Sequence, residues 1–300
     1  MLNLSCMSQA NEWSEVFEAA AERASQALVH VAAGCRRGAT GSVYDESGVI
    51  LTTARAVAGR EELEVVQGEH ATSASVVGYD VASDIGVLRA ASPLGQPPTW
   101  SSRALRLGSV VLSTSRPGRA ARVRLGVVSQ VGDAWHTVRG GRIERYVETD
   151  VAPEPGFSGG LSFDTLGHAV GMSSAGLLRG VPLLLERPTL ERVVGAILQQ
   201  GRVRRGYLGV GTQAIGLPEA VAAAIGQPSA LLVSSVQPGS AAERAQVNIG
   251  DLLLALGGVR LVSASRLQAA LEDAEGVPTA LELWRAGQRV NVEVTPGARP

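Results

Sequence analysis

From residue 27 to about residue 174 the chain alternates short apolar runs with clusters of Gly, Pro, Asp and Ser. Ten runs read as strands, at 27–32, 41–44, 49–53, 63–67, 74–79, 85–89, 110–113, 123–131, 145–148 and 169–173, because each is apolar or alternates with period two. No long helical pattern intervenes. Many short strands without crossover helices argue for a β-barrel or sandwich and against a parallel α/β sheet. Helical spacing appears at the two ends of this region. Trp13, Val16, Phe17, Ala20 and Ala24 recur at three- and four-residue intervals and predict an amphipathic helix over 11–28, with Asn11 as N-cap and Glu12 and Glu15 in its first turn. Such a helix packs on its own domain or serves as an oligomerisation arm. Leu190, Val193, Val194 and Ile197 predict a second helix over 189–200, closed by Gly201.

A basic, Gly-containing joint follows at 201–205, and the rest is long enough to fold alone. It predicts strands near 207–210, 230–236, 252–256, 280–284 and 291–294. One clear helix is expected over 264–274, with Ser263 as cap and Leu267, Ala270 and Leu271 at helical spacing. The expected plan is a helical arm at 1–26, a β domain at 27–200, a linker at 201–205 and a second domain at 206–297.

A length of 300 residues suits two domains, and 45% apolar with 18% charged residues can supply their cores. The formal charge of −1 excludes a wholesale basic nucleic-acid binder. No apolar run reaches the ~18–20 residues of a membrane span. The 36 glycines lack a collagen period and point to many tight turns. Cys6 and Cys35 cannot make a disulfide framework and read as small buried or surface thiols. The first ten residues carry neither a basic segment nor an apolar stretch, so no export signal is visible; the expectation is a cytoplasmic protein or a start further upstream. The chain has no lysine, so every basic side chain is Arg.

The sharpest local motif is Gly156-Phe157-Ser158-Gly159-Gly160. Glycines around one serine permit a strained turn that exposes the hydroxyl and lets backbone N–H groups converge on an oxyanion. A bland Gly/Ser turn has the same composition, so context decides. Pro153 and Pro155 before the serine are wrong for a central strand. Leu161-Ser162-Phe163, a turn at 164–167 and an apolar run from Ala169 follow it as a hairpin. An α/β-hydrolase elbow needs a strand before and a helix after, and is rejected. A loop before a hairpin suits a chymotrypsin-like double barrel, whose triad runs His, Asp, Ser along the chain.

At this point the chain resembles the HtrA/Deg family of serine proteases with a C-terminal PDZ domain. Thr149-Asp150-Val151-Ala152-Pro153-Glu154-Pro155-Gly156-Phe157-Ser158-Gly159-Gly160 is similar to the family's nucleophile segment. Asp80-Val81-Ala82-Ser83-Asp84-Ile85-Gly86-Val87-Leu88 resembles the segment that bears the triad aspartate, placing Asp84 there. Gly48-Val49-Ile50-Leu51-Thr52-Thr53-Ala54-Arg55-Ala56-Val57 resembles the segment that bears the triad histidine, but the histidine position is Arg55. The resemblance implies a mostly β fold, a trypsin-like double β-barrel followed by an α+β PDZ domain. It also implies Gly156 and Ser158 N–H groups as oxyanion donors.

Arg55 dominates the functional reading. A general base must take the serine proton and return it, and a guanidinium with pKa above ~12 cannot. A Ser–Lys dyad is excluded because lysine is absent. His30, His70, His136 and His168 occupy other segments. A bidentate pair between Arg55 and Asp84 is expected if the fold is kept. Leu161 replaces the proline that follows the family's glycines, Phe157 is bulkier than the usual Asn, and Val181-Pro182-Leu183-Leu184-Leu185 stands where the family has its pocket-lining strand. Arg116, Arg119, Arg122 and Arg124 make a basic loop and strand, expected to be a solvated face.

The C-terminal domain resembles PDZ along its whole length, from Arg204-Arg205-Gly206-Tyr207-Leu208-Gly209-Val210 to Leu281-Glu282-Leu283-Trp284-Arg285-Ala286-Gly287. PDZ recognition adds an extended C-terminal peptide to a sheet edge and holds its carboxylate on backbone N–H groups. Tyr207, Leu208, Gly209 and Val210 match the carboxylate loop, and Leu267 and Leu271 are expected to line the groove. The expectation is an HtrA-like homologue, proteolytically inactive or impaired, that binds polypeptide C-termini or unfolded proteins as a scaffold, chaperone or regulator. Two rivals stand beside it: an active endopeptidase with an unlocated base, and a non-catalytic subunit that modulates active paralogues. Neither cofactor nor metal is called for. The family resemblance implies a homo-oligomer, a trimer.

Overall fold

The computed structural model describes residues 4–34 and 38–298, with side chains from Glu12 onward. Cys35 and the side chain of Cys6 lie outside the described residues. The described chain divides into two compact units. One runs to Trp135 and resumes from Ile143 to Val203; the other joins His136–Arg142 to the residues from Arg204 onward.

The first unit holds two closed six-stranded barrels. In the first, β1 (Leu28–Val31), β2 (Ala39–Val43), β3 (Val49–Thr52), β4 (Glu62–Gln67), β5 (His70–Asp80) and β6 (Ile85–Ala90) pair in the order β1-β2-β3-β6-β5-β4. The second contains β7 (Val110–Ser115), β8 (Arg122–Gly132), β11 (Tyr146–Thr149), β12 (Leu161–Phe163), β13 (Ala169–Ser174) and β14 (Leu183–Leu185), in the order β11-β14-β13-β12-β7-β8. A two-stranded ribbon, β9 (Trp135–His136) with β10 (Arg142–Ile143), interrupts the second. The uninterrupted apolar run of β3 is buried throughout, whereas the start of β4 alternates exposed Glu62 and Glu64 with buried Leu63 and Val65. That is the period-two signal doing its work at a barrel wall. All ten strands read from the alternation are present, and the fold is the mostly β double barrel that was expected.

Among the described residues, three helices accompany the barrels. The helix α1 spans Leu4–Gln26 and starts before Asn11, which therefore lies inside it and is no N-cap. Nothing in 4–10 breaks a helix, and propagation outweighs a capping preference. Its C-terminal half docks through Ala20 and Ala24, both fully buried, while Trp13 is 60% and Val16 39% exposed. The single turn α2 (Ala54–Val57) follows β3. The helix α3 (Arg187–Gln200) buries Leu190, Val193, Val194 and Ile197 and ends at Gly201 in the left-handed conformation, as its pattern predicts.

The second unit is built on one sheet. Its strands β15 (Val210–Gly216), β16 (Ser229–Val236), β17 (Leu252–Leu256), β19 (Thr279–Arg285) and β20 (Gln288–Val294) pair in that order, and β18 (Val259–Arg260) pairs with β17. The strand expected near 207–210 begins only at Val210, because Gly209 takes a φ of +80° that ends extended pairing. Tyr207 instead forms an isolated bridge to Gly297. Helices α4 (Glu219–Ile225) and α5 (Ala241–Arg244) join the expected α6, which spans Ala264–Ala270. Ser263 caps α6 by accepting from the Arg266 N–H, and the helix stops at Leu271 instead of running on to 274. Buried Asp251 is bound by both ends of the Arg285 guanidinium, at 2.8 and 2.6 Å, and accepts the Asn248 N–H. Burial alone raises a carboxyl pKa; here the Arg285 and Asn248 hydrogen bonds outweigh it and hold Asp251 below the usual range.

Candidate functional site

The Ser158 turn is fixed by crowding that only glycine tolerates. A Cβ on Gly160 would lie 1.9 Å from the Thr114 carbonyl oxygen. Gly159 sits at φ +90°, where a Cβ would lie 2.4 Å from the Thr40 carbonyl oxygen. Two hydroxyls on β2 anchor the turn. Thr40 donates to the Gly156 carbonyl at 2.5 Å and accepts the Arg116 N–H at 2.8 Å. Ser42 donates to the Gly159 carbonyl and accepts the Leu161 N–H, both at 3.2 Å. Leu161 brings an N–H that a proline lacks, and Ser42 satisfies it. The N–H groups of Gly156 and Ser158 have no acceptor among the described residues, whereas that of Phe157 bonds the Glu154 carbonyl. Ser158 Oγ itself accepts the Ala175 N–H at 3.1 Å.

Asp84 is presented by an Asx turn. The Asp80 carboxylate accepts the N–H groups of Ala82 and Ser83 and the Ser83 hydroxyl, and Asp84 follows in the left-handed region at φ +56°. Its carboxylate accepts the Ser174 hydroxyl at 2.7 Å. Burial pushes its carboxyl above the usual carboxylate range, opposed by the Ser174 hydrogen bond, the Arg55 charge and the Ala54 N–H. Gly176 covers it so closely that a Cβ there would meet Asp84 Oδ2 at 2.7 Å.

Arg55 is exposed on α2, while Ala54, Ala56 and Val57 of the same turn are buried. It feels Asp84 through space, but among the described residues no hydrogen bond or ion pair joins the two. The bidentate pair expected from the sequence is therefore absent. Asp84 is already served by Ser174 and Ala54, and a guanidinium gains more from water than from entering that buried corner.

The four histidines lie in other segments. His30 lies in β1, with Nδ1 buried and unpartnered. His70 is exposed at the start of β5. His136 faces Glu272 at 3.4 Å, and His168 faces Asp164 at 3.7 Å. Beside Ser158, a cavity of about 20 Å³ is lined by Thr149, Pro153, Phe157, Ser173, Pro182 and Leu183 among others. That is room for about one water. Phe157, only 4% exposed, occupies the space.

In the second unit, β15 is an edge strand, with the loop Tyr207-Leu208-Gly209 leading into it. Gly209 has no room for a side chain, since a Cβ would lie 2.2 Å from Ser240 Cβ. The carbonyls of Leu208 and Gly209 accept from Ala242 and Gln237, while their N–H groups have no acceptor among the described residues. Leu267 and Leu271 are 4% and 5% exposed and belong to the apolar core of the second unit, and α6, which carries Leu267, packs against β15 and β18.

Residues 39–172 match the model of the trypsin-like peptidase domain, and 232–285 match that of the PDZ domain. The chain is 28% identical over 87% of its length to a probable periplasmic serine endoprotease DegP-like from Pseudomonas putida, covering 56% of that protein. It is 29% identical to the protein of the same name from Chlamydia trachomatis over 85% of its length, covering 53% of that relative. The crystal structure of the serine endoprotease from Yersinia pestis superposes with a TM-score of 0.74 at 25% identity, over 94% of this chain and 97% of that one. This chain belongs to the HtrA family. The HtrA-type protease AlgW with decapeptide is similar at a TM-score of 0.70 and 25% identity, over 87% of this chain and 83% of that one. This HtrA chain spans about half the length of the curated relatives it matches.

Sequence reasoning missed the polar scaffold of the HtrA cleft. Ser42 falls inside the strand read at 41–44, while Thr40 and Ser174 lie one position outside the strands read at 41–44 and 169–173. Buried hydroxyls also form a chain beneath the cavity, Ser113 to Ser162 at 2.8 Å and Ser162 to Ser173 at 3.1 Å. The available signal was polar residues at inward positions of otherwise apolar strands, where a buried hydroxyl needs a partner.

Proposed function

We propose that this chain is an HtrA-type protein whose serine centre is silent and whose PDZ domain captures polypeptide C-termini. One observation carries the first half. Ser158 accepts a hydrogen bond from a backbone N–H, and the side chain at the position expected for the base is an exposed, permanently charged Arg55. Among the described residues no acceptor receives the Ser158 hydroxyl, and Asp84 accepts from Ser174. The small cavity beside Phe157 supports the same reading. The second half is supported by the unengaged N–H groups of Leu208 and Gly209 at the head of an edge strand. The resulting role is scaffolding, chaperoning or regulation in protein quality control.

Fluorophosphonate labelling of the parent, Arg55→His and Ser158→Ala tests the silent centre. The expected result is no labelling of the parent and at least ~10²-fold more of Arg55→His, the scale of general-base assistance. Labelling of the parent that disappears in Ser158→Ala overturns the reading in favour of an active endopeptidase. A C-terminal peptide library tests the PDZ half, and an absence of binders sinks it. The exposed Trp13 and Val16 on α1 support a homo-oligomer assembled through that helix. Deletion of residues 1–26 is expected to lower the mass measured by light scattering, and an unchanged mass removes that role.

A further inference from the structure

We propose that the β7–β8 hairpin is a docking surface for an anionic phospholipid bilayer. Its tip carries three guanidiniums with no acid to pair them. Among the described residues, the side chains of Arg119 and Arg122 make no hydrogen bond or ion pair, and Arg116 makes one bond only, from Nη1 to the Arg119 carbonyl at 2.9 Å. The sequence led us to expect solvated arginines throughout this loop, yet Arg116 is half-buried and its Nε is buried without a partner. Burial draws its pKa below the ordinary value, and no acidic neighbour opposes that shift. Glu154, an acid that does reach β8, is taken by Arg124.

The arm that leaves the tip adds an apolar stripe. Side chains alternate along β8, so Arg122 and Arg124 stand on one face and Val123, Leu125 and Val127 on the other. All three apolar side chains are exposed, Leu125 at 59%, while β7 across from them is buried from Val111 to Ser115. The whole run 119–125 is exposed, so the tip projects from the barrel. A bilayer is the occupant that uses every one of these features. An added peptide strand needs a free edge, and the edge of β8 is covered. Val127 donates its N–H to the Asp150 carboxylate at 2.7 Å and accepts the Asp150 N–H at 3.1 Å, and a Cβ on Gly126 would meet the Val151 side chain at 2.5 Å. A soluble polyanion would satisfy the arginines and leave the apolar stripe in water. A second copy offers the acidic residues of α1, but a folded partner needs a concave seat for a projecting tip, whereas a fluid headgroup layer conforms to it. The arginines reach lipid phosphates while the apolar face sinks among the headgroups.

The test is sedimentation of the full chain with sucrose-loaded vesicles, one set of phosphatidylcholine alone and one of equal parts phosphatidylcholine and phosphatidylglycerol. The expected result is binding to the anionic vesicles only, lost at ~1 M salt, where the Debye length is about 3 Å. Arg119→Gln with Arg122→Gln is expected to weaken binding ~20-fold, and adding Arg116→Gln to bring the loss to ~10²-fold, at about fivefold per arginine. Leu125→Ser is expected to weaken it about tenfold. The double variant changes only exposed side chains and carries the test if the triple variant misfolds. No sedimentation of the parent, equal sedimentation with phosphatidylcholine alone, or undiminished sedimentation of the double variant overturns the proposal. Inorganic polyphosphate and light scattering separate the other occupants. If the chain binds polyphosphate but not vesicles, a soluble polyanion replaces the bilayer; if the double variant loses mass in solution, the arginines serve a contact between copies. Either result also overturns the proposal.

Discussion

Two loops in this chain present the same device. Gly156 and Ser158 in the barrel unit, and Leu208 and Gly209 in the PDZ unit, each offer a pair of backbone N–H groups without an acceptor. Each pair rests on a glycine with positive φ, +95° at Gly156 and +80° at Gly209. They differ in what surrounds them. For the peptide capture proposed at the PDZ loop the backbone alone suffices, since a terminal carboxylate needs only N–H donors and an open strand edge. At the serine turn the donors are auxiliaries, and chemistry needs side chains of the right proton affinity in the right places. A site made of backbone survives as long as its fold does. A site made of side chains is lost with one substitution while the fold persists.

Several measurements press on that contrast. The largest effect is expected at Arg285, outside both loops. Arg285→Ala leaves the Asp251 carboxylate buried without its partner, and about 3 kcal/mol of PDZ stability should go with it. Calorimetry is expected to lower one transition and leave the barrel transition in place; a coupled fall of both would mean that the units do not unfold separately. The native Asp251 carboxyl lies below its unfolded value, so its contribution is present above the ordinary carboxylate range and is lost as pH falls through the depressed value. Acid titration of the PDZ transition should show that loss, and Arg285→Ala should flatten it.

A smaller effect is expected at Asp84. Its native carboxyl is raised, so the native state holds the proton more tightly and stability declines as pH rises past the unfolded value. Asp84→Asn keeps an acceptor for Ser174 and a residue type that tolerates positive φ. The barrel unit should therefore melt slightly higher at neutral pH, with the difference shrinking on acidification. A lower melting point at neutral pH would show that the charge is used structurally. The smallest effect belongs to the exposed Arg124–Glu154 pair, where Arg124→Ala should change barrel stability by less than about 1 kcal/mol by chemical denaturation.

The barrels were legible because alternation in β4 and unbroken apolar runs in β3 leave a barrel wall few other forms. The edges of elements were less so. Asn11 reads as a cap, yet nothing before it stops α1. Gly209 delays β15 by a backbone angle that composition does not display. In the site, Ser158, Asp84 and Arg55 were visible because each lies in a contiguous motif. Their relation was not. Whether Arg55 turns to Asp84 or to solvent depends on Ser174, which is distant in the chain and arrives only through the closure of the second barrel.

The anchoring of the serine turn by Thr40 and Ser42 has an evolutionary consequence. The turn takes its shape from hydroxyls, carbonyls and glycines, and none of these bonds passes through Arg55. Drift at position 55 is therefore invisible to folding, and a lineage could abandon proteolysis without losing the protein. Histidine and arginine are also neighbours in the genetic code. Two of the six arginine codons lie one base change from a histidine codon, so on the proposed reading the scaffold retains a short mutational route to a base at position 55.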